Sequence, residues 1–328
     1  MSRIMKLLAA VLALSMLASA CGDDDGTAAS GGVPTVVVTT NILGDVVTQL
    51  VGGTVEVVTI MPVGADPHDF QASAQQAAAM RTADVLIVNG GSFEEGLLDV
   101  IEGAESDGVI VYEAMSAVTT IEFGENAHDD HDDDGDHDDH DDHSGHDHSG
   151  EDPHFFTDPA RMAAAVDGIA AFLIANVEGI DADIVTEAAE AYHAELEALD
   201  AEVAALVAGI PAENRVLITN HEVFGYFADR YGFEVAGAII PSGSTIDGTS
   251  AGDLAELAEL ITDEGVSAIF ADVSASDQLA QTLADEVGGD IQVVELFTES
   301  LGDSDSDGAT YIDMVRANAT RIAEALAS

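Results

Sequence analysis

The chain has 328 residues, of which 47% are hydrophobic, and a formal net charge of -55 from 63 acidic and 8 basic residues. This length allows two modest domains with a sizeable core, and so negative a surface repels nucleic-acid backbones and anionic lipid head groups. Its single cysteine excludes an intrachain disulfide and a cysteine-based zinc finger.

The first residues have the features of an export signal. A basic start precedes an apolar run at 7–17, which suits a signal-peptide core and is too short to span a bilayer. Small residues then lead to Cys21, as in a bacterial lipobox. We predict a signal peptide at 1–20 and a lipid-attached polar tether at 21–32; ordinary cleavage with a free cysteine is the alternative. The mature protein is then extracytoplasmic, anchored to the cell membrane or periplasmic.

Apolar, β-branched runs alternate with helical stretches through the rest of the chain, which predicts parallel βαβ units. The predicted strands are 33–40, 55–61, 85–89, 109–112, 216–220, 234–240, 268–272 and 291–296, with intervening helices that include 42–51, 72–81, 251–261 and 278–287. The fold class is therefore α/β, with two lobes that each hold a roughly four-stranded parallel sheet and flanking helices.

A long helical region lies between the two halves. Asp158 and Pro159 form a helix start, and residues 183–207 run for 25 residues without glycine or proline. At 1.5 Å per residue this is ~37 Å, long enough for a helix that runs along both domains as a spine. The expected domains are an N-terminal lobe at 33–180, a linking helix at 181–210 and a C-terminal lobe at 211–328.

Residues 113–153 lack a core pattern and predict a long loop. Their centre, 128–148, holds seven histidines and eleven aspartates, so it must be solvated. Its histidines are candidate secondary metal ligands or, equally, parts of a solvated loop with weak and unselective metal binding. They are His128, His131, His137, His140, His143, His146 and His148.

Three other histidines and one acidic residue occupy related places. His68 follows the second predicted strand, His221 follows the first strand of the second half, and Glu299 follows the last strand. His154 follows the acidic loop. In open parallel sheets ligands bind beyond the carboxyl ends of the strands. If the lobes face each other, three imidazoles and one carboxylate can converge between them.

Such a set suits Zn²⁺, which takes about four nitrogen, sulfur or oxygen ligands. Ca²⁺ and Mg²⁺ favour oxygen, and Mn²⁺ favours more carboxylate and water. A single histidine after a strand is more often a cap or a surface residue, but three in matched places favour a site.

Several nearby residues have simpler interpretations. Asp66 and Asp158 are expected to form a turn and a cap, with a hydrogen bond to a ligand histidine as the alternative. Asp272 ends a strand that faces the same cleft and is expected to cap the loop, with a spare oxygen ligand as the alternative. His193, in the middle of a helix, is expected to face solvent.

Four segments resemble motifs of the metal receptors of bacterial zinc and manganese ABC importers (the ZnuA/TroA-like, cluster A-I group). They are Gly-Ala-Asp-Pro-His-Asp-Phe at 64–70, Asp-Pro-His-Phe-Phe-Thr-Asp-Pro at 152–159, Asn-His-Glu-Val-Phe-Gly-Tyr-Phe at 220–227 and Phe-Thr-Glu-Ser at 297–300. Two positions depart from the family pattern. Phe156 stands where tryptophan is common, and Glu299 stands where aspartate is usual.

The resemblance implies two α/β lobes joined by a rigid helix, with one metal held by His68, His154, His221 and Glu299. In that family histidine at the third position accompanies zinc and glutamate accompanies manganese, and a His-rich acidic loop is typical of the zinc members. We therefore expect a receptor that captures Zn²⁺ and delivers it to an ABC permease with its ATPase. A manganese receptor of the same group is the alternative, and the chain is expected to be a monomer.

A zinc-dependent hydrolase is the remaining alternative. His221 and Glu222 open like H-E-x-x-H, but the fifth position is Gly225, and neither G-x-S-x-G nor a Walker A sequence occurs. Four protein ligands also leave no open position for a water nucleophile, so we expect no enzyme activity. Because histidine binds metal in its neutral form, affinity is expected to fall as the pH drops through roughly 6.5.

Overall fold

A computed structural model describes most of the chain beyond residue 32. The predicted signal peptide, Cys21, the tether and the seven histidines of 128–148 lie outside the described residues. Within the described part, no helix combines the length and the apolar character needed to cross a membrane. The described ranges are 33–53, 55–123, 150–288 and 291–327.

Strands and helices alternate along the described residues in the predicted order. In chain order they are β1 (Thr35–Val38), α1 (Asn41–Val51), β2 (Glu56–Thr59), α2 (Ala74–Arg81), β3 (Val85–Val88), α3 (Leu98–Ser106), β4 (Ile110–Glu113), α4 (Pro159–Asn176), α5 (Ala182–Val207), β5 (Val216–Thr219), α6 (Gly225–Tyr231), β6 (Glu234–Ala238), α7 (Ala251–Glu264), β7 (Ala268–Asp272), α8 (Gln278–Val287), β8 (Gln292–Leu296) and α9 (Tyr311–Leu326). The helices α3, α6 and α9 are not among the helices predicted from the sequence.

The strands form two parallel sheets of the same topology. Their orders are β2-β1-β3-β4 and β6-β5-β7-β8, one sheet in each lobe. The predicted α/β class with two four-stranded lobes is therefore confirmed. In each sheet the direction of winding reverses beside the first strand of the lobe, and this opens a crevice at the carboxyl edge.

The helix α5 connects the cores of the two lobes. Asp181 caps it through the amides of Asp183 and Ile184, and α5 packs against α1 and α4 of the first lobe and α9 of the second. Its buried stripe repeats every three or four residues, as expected for a helix covered along one side. The stripe consists of Val185, Ala189, Tyr192, Leu196, Leu199, Val203 and Val207.

The ends of the segment 113–153 differ from the predicted loop. Ala114, Met115 and Ile121 are buried in the main core, and Glu122 forms an antiparallel bridge with Glu151. The loop interpretation was wrong for these flanks, because isolated apolar residues carry no period that a sequence pattern can detect.

Candidate metal centre

Two loops of the first lobe are built on the same tripeptide, Asp-Pro-His. The carboxylate of Asp66 accepts the amide of His68 at 2.9 Å, and the carboxylate of Asp152 accepts the amide of His154 at 2.8 Å. A short acidic side chain that binds the amide two residues ahead fixes a tight turn. The repeated tripeptide thus gives both histidines the same local support.

The second lobe contributes its residues from the ends of β5 and β8. Thr219, the last residue of β5, donates its hydroxyl to the carbonyl of His221 at 2.7 Å. After β8, Asn318 accepts the amide of Phe297 at 2.9 Å and donates to the same residue's carbonyl at 2.6 Å. These contacts hold the turn that carries Glu299.

The four residues predicted from the sequence converge on one point. Oε1 of Glu299 lies 2.8 Å from Nε2 of His68, 3.2 Å from Nε2 of His154 and 3.2 Å from Nε2 of His221. One ligand atom from each residue falls within 4.8 Å of all the others. All four side chains are at most 2% exposed. The structure therefore brings together, in a buried space between the lobes, donors from four separate loops.

Two of the imidazoles are oriented from behind by carboxylates. Nδ1 of His68 lies 3.1 Å from Glu95, and Nδ1 of His154 lies 2.7 Å from Asp152. An ionised carboxylate only accepts hydrogen bonds, so each Nδ1 carries the proton and, in the neutral ring, Nε2 presents its lone pair to the centre.

In the second lobe, buried polar atoms of His221 and Glu299 lack hydrogen-bond partners within the part of the chain that the structure describes. Among the described residues, neither ring nitrogen of His221 has a hydrogen-bond partner, although Nε2 approaches Glu299. Oε2 of Glu299 is also buried without one. Buried polar atoms without partners are costly and mark a place where a ligand supplies the missing interaction.

The pKa values reflect a site that needs positive charge. Burial lowers the pKa of His68, but the carboxylates of Glu299 and Glu95 outweigh this and raise it from 6.5 to about 10. Burial also opposes protonation of His154, yet Asp152 and Glu299 raise the pKa of its imidazole. For Glu299, burial favours the neutral acid, but His221 and His68 hold its pKa well below the usual range.

Aromatic residues pack against the two histidines on the first-lobe side of the centre. The ring of Phe93 stands edge-on to His68 at 5.1 Å and to His154 at 5.4 Å between centroids, and it also contacts Phe156. Both first-lobe imidazoles therefore pack against the same aromatic ring. Phe156, at the position where tryptophan is common in the family, is itself fully buried here.

Three of these contributors were not predicted from the sequence: Phe93, Glu95 and Asp152. The repeated Asp-Pro-His tripeptide was a signal for Asp152, because the same residue precedes both histidines. No local pattern marked Glu95 or Phe93, since their roles depend on a loop after β3 that meets His68 only in the folded protein.

Asp158 and Asp272 have the simpler roles expected. Asp158 caps α4 through the amide of Ala160 at 2.8 Å, and Asp272 accepts both the amide and the hydroxyl of Ser274 at 2.8 Å. Asp272 is nevertheless buried near the centre, and burial together with the charge of Glu299 raises its pKa. His193 was expected to face solvent, but its side chain is only 35% exposed, because its Nδ1 lies 3.2 Å from Oδ1 of Asp167 on the neighbouring helix α4.

Comparison with known proteins identifies relatives along almost the whole chain. A family model described as "ZnuA: Zinc-uptake complex component A periplasmic" matches residues 36–325. The zinc-binding protein TroA of Treponema pallidum is 31% identical over 98% of both chains. The manganese-binding lipoprotein MntA of Halalkalibacterium halodurans is 27% identical over 94% of both. The solved structure of the periplasmic zinc-binding protein TroA has a TM-score of 0.77 at 29% identity, and the match covers 90% of this chain and all of that one.

Proposed function

The chain belongs to the ZnuA family of periplasmic zinc-uptake components, and from this premise we propose that it captures Zn²⁺ outside the cytoplasm and releases it to an ABC importer. As a substrate-binding protein of such an importer, it works with a membrane permease and its ATPase. The protein binds and delivers an ion and catalyses no reaction, in keeping with its family.

The observation that carries this proposal is the convergence of three Nε2 atoms on one carboxylate oxygen in a buried space. Lone pairs that face one another away from water repel unless a proton or a cation lies between them. We propose His68, His154, His221 and Glu299 as the ligands of that cation. Three imidazoles and one carboxylate favour Zn²⁺ over Mn²⁺, which takes more oxygen ligands.

The decisive experiment measures metal content and binding stoichiometry by elemental analysis and calorimetry. We expect one tightly bound Zn²⁺ for the parent chain and its loss in His68→Ala, His154→Ala and His221→Ala. The matched control is His193→Ala, which removes a half-exposed imidazole elsewhere and should leave the ion in place. Retention of the ion in the three site variants would contradict the ligand set.

Competition between Zn²⁺ and Mn²⁺ decides between the two receptor functions suggested by the relatives. With this donor set, Zn²⁺ should displace Mn²⁺ when both are present at equal concentration. Exclusive retention of Mn²⁺ would favour the manganese alternative, and turnover of an ester or peptide by the zinc-loaded protein would favour the hydrolase.

We further propose that Cys21 is lipidated after removal of 1–20, and that residues 21–32 tether a monomeric body to the membrane. Cys21→Ser should move the protein from the detergent phase to the aqueous phase on phase separation, and light scattering of that soluble variant should give a monomer. Partition of parent and variant into the same phase would refute the anchor.

The histidines between 128 and 148 are proposed as additional, weaker zinc ligands. Support comes from the base of this segment, where Glu122 pairs with Glu151 and the ring of Phe123 lies 6.2 Å from that of His154. The described residues on either side of this segment therefore lie beside the centre. Deletion of 128–148 should remove weak sites and retain one tight site; loss of the tight site would contradict this ancillary role.

A further inference from the structure

The buried side-chain amide of Asn41 attaches the turn that carries Glu299 to the opposite lobe. Asn41, the first residue of α1, donates from Nδ2 to Oγ of Ser300 at 3.0 Å and to the carbonyl of Pro62 at 3.1 Å. Its Oδ1 accepts the amide of Leu301 at 2.8 Å. Both ends of one side chain thus join the two residues that follow Glu299 to the first lobe.

Ser300 extends this connection toward His68. Its hydroxyl accepts the amide of Gly64 at 2.7 Å and donates to the carbonyl of Leu301 at 3.0 Å. Gly64 lies in the loop that leads to His68, so Ser300 joins the loops of a first-lobe and a second-lobe donor. The side chains of Asn41 and Ser300 are buried, so water does not readily replace these hydrogen bonds.

The same turn is held within its own lobe by a comparable contact. Asn318 of α9 binds the amide and the carbonyl of Phe297 through both ends of its side chain, and it is as deeply buried as Asn41. One asparagine therefore fixes the start of the turn to the second lobe, and the other fixes its end to the first.

We propose that Asn41 is a positioning residue that latches Glu299 against the first lobe and thereby sets the rate at which the bound ion is released. The inference rests on the proposed function. For Glu299 to withdraw with the second lobe, the hydrogen bonds of Asn41 to Ser300 and Leu301 must break together, which adds to the barrier of ion release. The hydrogen bonds described for Asn41 reach Pro62, Ser300 and Leu301 and none of the four donors, so its effect is on the motion of the turn.

The test measures the transfer of Zn²⁺ from the loaded, full-length protein to an excess of chelator by stopped flow. Asn41→Ala should release the ion about tenfold faster, the effect expected for the loss of two or three buried hydrogen bonds, while the stoichiometry stays at one. Ser300→Ala breaks the hydrogen bonds of its hydroxyl with Asn41 and Gly64 and should also accelerate release. The double variant should be slower than the product of the two effects predicts, because both substitutions break the same contact.

Asn214→Ala is the control, because it removes a side-chain amide that donates to the carbonyl of Leu326 at 3.1 Å within the second lobe. It should change the release rate by less than about threefold. A similar acceleration in Asn214→Ala, or a rate in Asn41→Ala within about threefold of the parent, would overturn the latch. A parent that takes up no metal overturns the proposed function as well, whereas one tight ion with unchanged variant rates overturns the latch alone.

Discussion

Asp152 illustrates how much of the centre depends on residues that donate nothing to the ion. Its carboxylate accepts both the amide and Nδ1 of His154, so one side chain fixes the turn, the ring and the tautomer. Glu95 accepts a hydrogen bond from Nδ1 of His68 and so fixes the ring and the tautomer of that histidine, but not its turn. The two imidazoles of the first lobe are therefore aimed before an ion arrives.

We predict that Asp152→Asn weakens Zn²⁺ binding by about 10- to 100-fold, as loss of a carboxylate behind a ligand histidine does. The amide can turn an N–H toward Nδ1 and so favour the wrong tautomer. Calorimetric titration against a competing chelator measures the change. Asp69→Asn is the control, because it removes an exposed carboxylate next to His68 along the chain. Equal weakening in both variants would mean that charge alone, and not ring orientation, is responsible.

The pH dependence of binding follows from His68 and His154. The pKa of His68 is raised from 6.5 to about 10 in the metal-free protein, so its ring holds a proton at neutral pH that the ion must displace, and the pKa of His154 is raised in the same direction by Asp152 and Glu299. Affinity should therefore rise with pH from below 6.5 toward 10, a wider window than the 6.5 expected from an unperturbed histidine. Calorimetry at pH 7 in buffers of different ionisation enthalpy should show proton release on binding; binding without it would contradict this.

The same shifts act on the stability of the metal-free protein. A histidine whose pKa is raised by folding stabilises the folded protein. For His68 this contribution is complete below the unfolded pKa of 6.5 and is lost as the pH rises through the folded pKa of about 10. The lowered pKa of Glu299 acts at the other end, since its contribution is present above the unfolded value of 4.5 and disappears in acid.

At the scale of the elements, α6 packs closely against the centre because it begins with a glycine. A Cβ on Gly225 would lie 2.5 Å from Oδ2 of Asp152, which is closer than atoms can approach. Tyr226, the next residue, donates its hydroxyl to the carbonyl of Asp152 at 2.6 Å. The glycine of the third motif is thus explained by the carboxylate that orients His154.

Gly225→Ala should therefore displace Asp152 or α6 and weaken Zn²⁺ binding by at least tenfold, as measured by chelator competition. The matched control is Gly252→Ala in the first turn of α7, where a Cβ meets only the hydroxyl of Ser250 at an ordinary 3.4 Å. That variant should bind normally. Normal binding by Gly225→Ala as well would show that the helix accommodates the methyl group without moving Asp152.

At the scale of the whole molecule, the main feature is the large excess of negative charge. Eight basic residues cannot neutralise 63 acidic ones. The described ion pairs of arginine engage only a few acids, and the arginines in them are Arg81, Arg161, Arg230, Arg316 and Arg321. Repulsion among the remaining carboxylates destabilises the compact state more than the expanded one.

We predict that the urea midpoint of unfolding rises with NaCl, with most of the gain below about 1 M, where the screening length falls from about 10 Å to about 3 Å. Urea is the suitable denaturant because it adds no ionic strength. The metal-free His68→Ala variant should show the same salt dependence, since the repulsion is spread over the surface. A midpoint that is constant or that falls with salt would contradict this account.

A feature of the fold or the site could be predicted from the sequence when the residues that determine it lie close together in the chain. The strands were readable because buried β-branched runs are local, and the donors His68, His221 and Glu299 were readable because each follows such a run. Ala114, Met115 and Ile121 were misjudged, and Glu95 was missed, because single residues acquire their roles only from partners elsewhere. The four predicted donors do lie together.

By itself, the sequence determined the alternation of strands and helices, the uninterrupted α5 and the kinds of donor atoms available, because these depend on residues close together in the chain. Only the tertiary structure decided that Nε2 of His68 meets a carboxylate 231 residues later and that Asn41 holds a turn 259 residues away. Contacts at such separations arise when two lobes pack on a shared helix, and no local pattern encodes the distance at which their edges meet.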